Sequence, residues 1–324
     1  MKVSLLDLGR ALFPGCASLA DVEAAIQSEA HATARNTFVS IRRLAVELGV
    51  SDVSELYRRC KDVVAWINSD AAPPSPASKL TFYSALAAAS RAVPALERAP
   101  ATKMFLAESK ALGKLVREDR AGSRLDARER AAILPWPVIT RAYKLSSGKL
   151  DDEQSIIAAL YLAGGDDPAG APRRLDYNAL RVFVDKAPAR IPAGLNYVIV
   201  RSPSNVELVL QEFKTKKHYG SYRTGLPSAV SRVIHGSVKR RPREWLLHDD
   251  SGKPLTPSGF GRRVSATMKK ITGKPIGVSN LRKSFVTWLY SSDGVAPDRL
   301  HEFAAAMNHS PSEQLAYRRK HIRA

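Results

Sequence analysis

Apolar residues recur at helical spacing through most of the chain. Phe38, Ile41, Leu44, Ala45 and Leu48 form one stripe that stops at Gly49, and Leu56, Val63, Val64 and Ile67 form a second. The Ala- and Leu-rich segments 80–93 and 101–116 add two more, so residues 31–118 are expected to be an all-helical module. Residues 1–30 read as a short helical arm before it, and the loop 71–76, AAPPSP, interrupts it. The charged, apolar-poor run REDRAGSR at 117–124 places a linker over about 119–127.

Beyond the linker the periodicity changes. Residues 152–162 read as a helix, and the glycine-rich loop GGDDPAG at 164–170 leads into APRRLDYNAL at 171–180. That segment is expected to be helical, with Arg173 and Asp176 three apart on a face above Leu180. The β-rich runs 195–200, 206–213 and 221–226 predict a small antiparallel sheet, with KTKKHYG at 214–220 as a turn. Leu281, Phe285 and Leu289 then mark a helix, and Leu300, Phe303, Ala304 and Met307 mark another. Pro297 and Asp298 open the latter, and Asn308-His309-Ser310-Pro311 closes it, because the residue before a proline is pushed out of helical geometry. The expected fold class is therefore mainly α with a small antiparallel β-sheet, in two domains covering residues 31–118 and 128–324.

Composition narrows what such a fold could do. The chain has 324 residues, enough for two domains that each bury a core, and carries 50 Lys and Arg against 31 Asp and Glu. A formal charge of +19 points to a polyanionic partner, with nucleic acid first. Cys16 and Cys60 are too few for a disulfide framework and lack the spacing of a metal site, so the chain reads as intracellular and metal-free. No apolar run is long enough to span a bilayer. The opening MKVSLLDLGRALFPG holds Asp7 and Arg10 within its apolar part, unlike a signal peptide, and no internal repeat recurs at a fixed period.

Candidate chemistry gathers in residues 279–317. Arg282 falls in the first turn of its helix, where free backbone N–H groups and the helix dipole favour an anion and a guanidinium adds bidentate bonds to phosphate. His309 sits at a helix end. Tyr317 is followed by Arg318-Arg319-Lys320, cations that favour the phenolate a nucleophile needs. Taken singly, each also fits an ordinary role as a solvated face, a structural imidazole or a surface anchor. Arg42 and Arg43 lie largely off the apolar stripe of their helix, and Lys216 and Lys217 lie in the hairpin turn; both pairs fit either phosphate contacts or solvated charge.

Read in order, Arg173, a lysine at 214 or 216, Arg282, His309 and Tyr317 resemble the catalytic set of the tyrosine recombinase (phage integrase) family. Pro172-Arg173-Arg174-Leu175-Asp176 is similar to the family's Arg-x-x-Glu box. Leu281-Arg282-Lys283-Ser284-Phe285 is similar to its second Arg box, and Met307-Asn308-His309-Ser310 through Tyr317 to its His-to-Tyr box. The helical module is similar to the family's core-binding domain, so the resemblance covers most of residues 31–324 and leaves out 1–30.

The resemblance implies a helical DNA-binding domain and a mixed α/β catalytic domain that exchange strands of double-stranded DNA, without cofactor, metal or nucleotide. Tyr317 would form a 3′-phosphotyrosyl intermediate, and Arg173 and Arg282 would neutralise the non-bridging oxygens. His309 would bind the phosphate or assist the nucleophile, and Lys214 would protonate the leaving 5′-oxygen. Self-assembly on DNA as a dimer or tetramer is implied, as in the integration or excision of mobile elements. A type IB topoisomerase shares the Arg, Lys, His and Tyr chemistry, and a non-catalytic DNA-binding relative is a further alternative. Two features depart from the family: Ser279 stands where a His usually lies three residues before the second Arg, and seven residues follow Tyr317 where many relatives have a longer tail helix.

Overall fold

The computed structural model describes residues 2–27, 32–121, 132–174, 176–291, 296–308, 310–315 and 317–318. The chain divides into two compact units, Met1–Gly122 and Ser123–Ala324. Residues 122–127 of the expected linker lie outside the described residues.

The first unit is helical in every regular element described: α1 (Leu5–Leu12), α2 (Leu19–Gln27), α3 (Ala32–Glu47), α4 (Val53–Arg58), α5 (Cys60–Asn68), α6 (Pro76–Ala92), α7 (Pro94–Glu97) and α8 (Pro100–Ala121). The boundaries follow local chemistry. Ser4 and Asp7 form a reciprocal capping box at α1, Ser75 caps α6 with Pro76 in its first turn, and Gly49 leaves α3 at φ +63°. Phe38, Ile41, Leu44, Leu56, Phe82, Leu86 and Phe105 fill the core, and Tyr57 within it donates to the Leu86 carbonyl at 2.6 Å. Residues 1–30, expected to form an arm, contribute Leu8 and Val22 to this same core.

The second unit contains α9 (Trp136–Ser146), α10 (Asp152–Leu162), β1 (Arg181–Val184), β2 (Tyr197–Ser202), β3 (Asn205–Leu210), α11 (Lys216–Tyr219) and β4 (Tyr222–Gly225). It continues through α12 (Ser228–Arg240), α13 (Pro257–Thr272), α14 (Val278–Ser291), α15 (Pro297–Ala306) and α16 (Pro311–Leu315). The four strands lie in sequence order, with β1 parallel to β2 and the β2–β3 and β3–β4 pairs antiparallel. The sheet is therefore mixed and not purely antiparallel as expected. β2 is buried on both faces: Val198 and Val200 enter the main core, while Tyr197, Ile199 and Val209 pack under Phe183, Ala187 and Ile191. A strand covered on both sides reads as a continuous apolar run.

Two further expectations are corrected here. Residues 171–174 take no regular structure and 176–179 form a turn, so no helix carries Arg173 and Asp176. The hairpin turn at 214–220 contains the single helical turn α11. What fixes the 171–174 segment is a backbone crossing just before it: a Cβ on Gly164 would strike the Gly170 backbone, and a Cβ on Gly170 would strike Gly164. Only glycine at both positions lets these chains touch.

Candidate active site

The site is assembled around Pro172, Arg173 and Arg174. Arg173 is 2% exposed, and its guanidinium Nη1 donates to the Ala306 carbonyl at the end of α15. Asn308 lies just beyond that helix at φ +51°, a left-handed conformation that asparagine tolerates at a helix C-terminus. With its amide oxygen toward Arg173, Asn308 accepts from Nη2 and its amide nitrogen donates to the Ala305 carbonyl at 3.2 Å. The Arg173 guanidinium also stacks 4.1 Å from the Tyr222 ring centroid and pairs at 3.8 Å with Asp176. Burial raises the Asp176 carboxyl above the ordinary carboxylate value, and Arg173 and Arg282 pull it back down.

Arg282 is 1% exposed and donates to the Pro172 carbonyl at 3.2 Å. It lies in the second turn of α14, which begins at Val278, rather than in the first turn as expected. Its guanidinium sits 5.1 Å from the Tyr317 ring centroid. Burial pulls the guanidinium below its usual value, and Tyr317 pulls it back up. The charge persists, since an arginine is not deprotonated in proteins.

Tyr317 reaches this place through α16. The Tyr317 N–H donates to the Gln314 carbonyl at 2.9 Å, and Gln314, fully buried, contacts the Tyr290 hydroxyl at 3.0 Å. The Tyr317 hydroxyl accepts from Arg174 Nη2 at 3.3 Å. Arg174 is itself fixed through its backbone, whose carbonyl accepts from the buried Tyr161 hydroxyl at 2.7 Å.

A cleft of about 480 Å³ opens between these groups, lined by Arg174, Asp176, Lys214, Ser279, Asn280, Arg282 and Tyr317 together with Gly261, Gly277 and Val278. Three cationic side chains against one carboxylate suit an anion. Lys214 is exposed in this wall, whereas Lys216 is tied to Glu212 at 3.0 Å. Ser279 is also exposed to the cleft. Arg173 is not among the lining residues; it lies under Tyr222 and is spent on the end of α15.

Of the expected site residues, Lys214, Arg282 and Tyr317 thus share one cleft, and Arg173 braces the segment beside it. His309 lies outside the described residues. Arg174 was missed, although the Arg-Arg doublet carried a signal: in a non-helical segment, neighbouring side chains diverge, so burial of one turns the other toward solvent. In the first unit, exposed Arg42 pairs with Glu23 at 2.9 Å, and Arg43 pairs with Glu47 at 3.8 Å beside the Trp66 and Phe82 rings. Lys217 is exposed. Among the described residues no helix is long and apolar enough to cross a membrane.

Comparisons with protein-family models, with curated proteins and with solved structures find no match to this chain.

Proposed function

We propose that this chain is a site-specific DNA recombinase that cuts and rejoins double-stranded DNA through a phosphotyrosyl intermediate on Tyr317. The observation that carries the reading is the convergence, in one cationic cleft, of a tyrosine hydroxyl, two guanidinium groups and a lysine from four separate segments of the chain. A phenol beside fixed cations has the ingredients of nucleophilic attack on a phosphodiester.

In the proposed step the Tyr317 hydroxyl oxygen attacks phosphorus, an Oη–P bond forms and the P–O5′ bond breaks. The leaving 5′-oxygen takes a proton from the Lys214 ammonium, and the phenolic proton passes to a base; the family resemblance gives His309 either this role or a hydrogen bond to the phosphate. Arg282 holds negative charge on the non-bridging oxygens, and Arg173 holds the Pro172–Arg174 segment against α15. Attack by a 5′-hydroxyl on the phosphotyrosine reverses the sequence and reseals a strand. The bond energy is conserved in the adduct, so the sequence of steps needs no external energy source.

The test is incubation of the full chain with a duplex nicked near the cleavage point, so that the short 5′-hydroxyl fragment diffuses away. A band of protein joined to DNA on a denaturing gel is expected. Binding without any covalent band overturns the proposal and leaves a DNA-binding protein.

A further inference from the structure

The proposed step gives Arg174 no role of its own, yet of the cations in the cleft it is the one whose side chain bonds the Tyr317 hydroxyl oxygen, at 3.3 Å. Resting on the recombinase reading, we infer that Arg174 holds the nucleophilic oxygen and stabilises the charge that builds on it. A guanidinium has five N–H donors and no acceptor, so in this bond the phenol oxygen must be the acceptor. Its own O–H is then left to point elsewhere, toward the base that removes the proton. At 3.3 Å the bond is long for N–H···O, and it shortens and strengthens when the phenol oxygen becomes anionic. The contact is therefore worth more as the reaction proceeds than before it, which is the condition for accelerating a step.

The surroundings fit this assignment. Three consecutive residues divide the work of the site: the Pro172 carbonyl accepts from Arg282, the Arg173 guanidinium binds the end of α15, and the Arg174 side chain reaches Tyr317. Arg282 takes the face of the Tyr317 ring at 5.1 Å, so the two cations hold different parts of one side chain, ring and oxygen. The Arg174 backbone is secured independently by Tyr161, so replacing the side chain leaves the segment anchored. Proton balance is simple: the phenolic proton leaves to the base, Lys214 supplies the proton on the leaving oxygen, and Arg174 stays protonated throughout.

The test compares Arg174→Gln and Arg174→Lys with the unmodified full chain. In single-turnover reactions on the nicked duplex, Arg174→Gln should slow adduct formation roughly tenfold to a hundredfold, as for loss of one donor to a developing charge. The rate optimum should move to higher pH, and Arg174→Lys should recover part of the rate. A second readout needs no DNA: 3-fluorotyrosine placed at position 317, followed by ¹⁹F NMR across pH. Arg174→Gln should move the resonance and shift its titration to higher pH. An unmoved resonance and titration overturns the inference, as does an equal loss of rate at every pH. If the unmodified chain forms no adduct, the recombinase reading fails, and the fluorine titration still decides whether Arg174 holds Tyr317.

Discussion

Arginines in the two units are held in opposite ways. Arg42 and Arg43 sit on an open helix face, and each is neutralised by a nearby glutamate. Arg173 and Arg282 are 2% and 1% exposed and spend their donors on the Ala306 and Pro172 carbonyls. Exposed pairs of the first kind contribute about 0–1 kcal/mol and cost little to form. A buried guanidinium faces a desolvation cost of several kcal/mol that an apolar side chain of similar size would avoid. Burial alone gives the fold little return for these two cations; Arg282 lies against the Tyr317 ring, and Arg173 lies against Tyr222 and braces the segment beside the cleft.

The comparison is broken most severely by removing the buried cations. Arg173→Ala and Arg282→Ala should each slow adduct formation at least roughly a hundredfold. Lysine at either position should rescue poorly, because a single ammonium cannot span the contacts of a planar guanidinium. Wild-type cleavage rates in either alanine variant would show that these cations serve packing alone.

Next comes the glycine crossing that delivers the Arg173 segment. Gly164→Ala or Gly170→Ala forces a methyl into the facing backbone, and each should cost on the order of 1–3 kcal/mol, read as a lower melting temperature. Cleavage should fall with it, because the Pro172 carbonyl and Arg174 shift together. A melting temperature unchanged in both variants would show that the crossing is loose.

The helices of the second unit were legible in the sequence where apolar spacing and end signals agreed. Residues 152–162 match α10, with the Asp151 and Gln154 capping box at its start, and Pro297 opens α15 as expected. The apolar runs at 195–200 and 206–213 foretold β2 and β3 for the same reason. β1 is only four residues, too short for alternation to register, and its parallel pairing depends on distant packing. The helix expected at 171–180 failed because a three-residue spacing of Arg and Asp satisfies a turn as well as a helix. Arg173 and Asp176 are indeed 3.8 Å apart, without a helix between them. In the site, Arg282 and Tyr317 could be named from residue type and position, whereas residue type left the lysine open between 214 and 216; Lys214 lines the cleft and Lys216 pairs with Glu212.

The exposed pair sharpens the comparison with a smaller effect. The full chain should lose about three to five decades of DNA affinity between 50 and 200 mM salt if it neutralises roughly six to ten phosphates. If Arg42 and Arg43 exchange their glutamates for phosphates, alanine at both should lower the slope of log K against log salt by about two, and leave the cleavage rate of bound DNA unchanged. An identical slope would confine both residues to their ion pairs with Glu23 and Glu47.

The smallest effect concerns Glu207, which pairs with Arg201 at 3.0 Å and also with Arg223. The hydrogen bond from Arg223 holds its carboxyl below the ordinary glutamate value. A depressed carboxyl contributes stability above its unfolded value and loses it as the pH falls through the folded one. Glu207→Gln should therefore flatten the acid side of the stability profile by less than about 1 kcal/mol and change nothing at neutral pH beyond that offset. A profile as steep as wild type would assign the acid sensitivity to other carboxylates.

In the proposed reaction Tyr317 forms the bond to DNA. The most direct measurement is to digest the trapped protein–DNA adduct with protease and nuclease and to locate the residual nucleotide by mass spectrometry, beside a Tyr317→Phe control. A phosphodiester on the Tyr317 oxygen is expected in the unmodified chain, and, in the Phe variant, no adduct with DNA affinity nearly unchanged. A nucleotide on any other residue, or adduct formation by Tyr317→Phe at the wild-type rate, would contradict the proposed reaction.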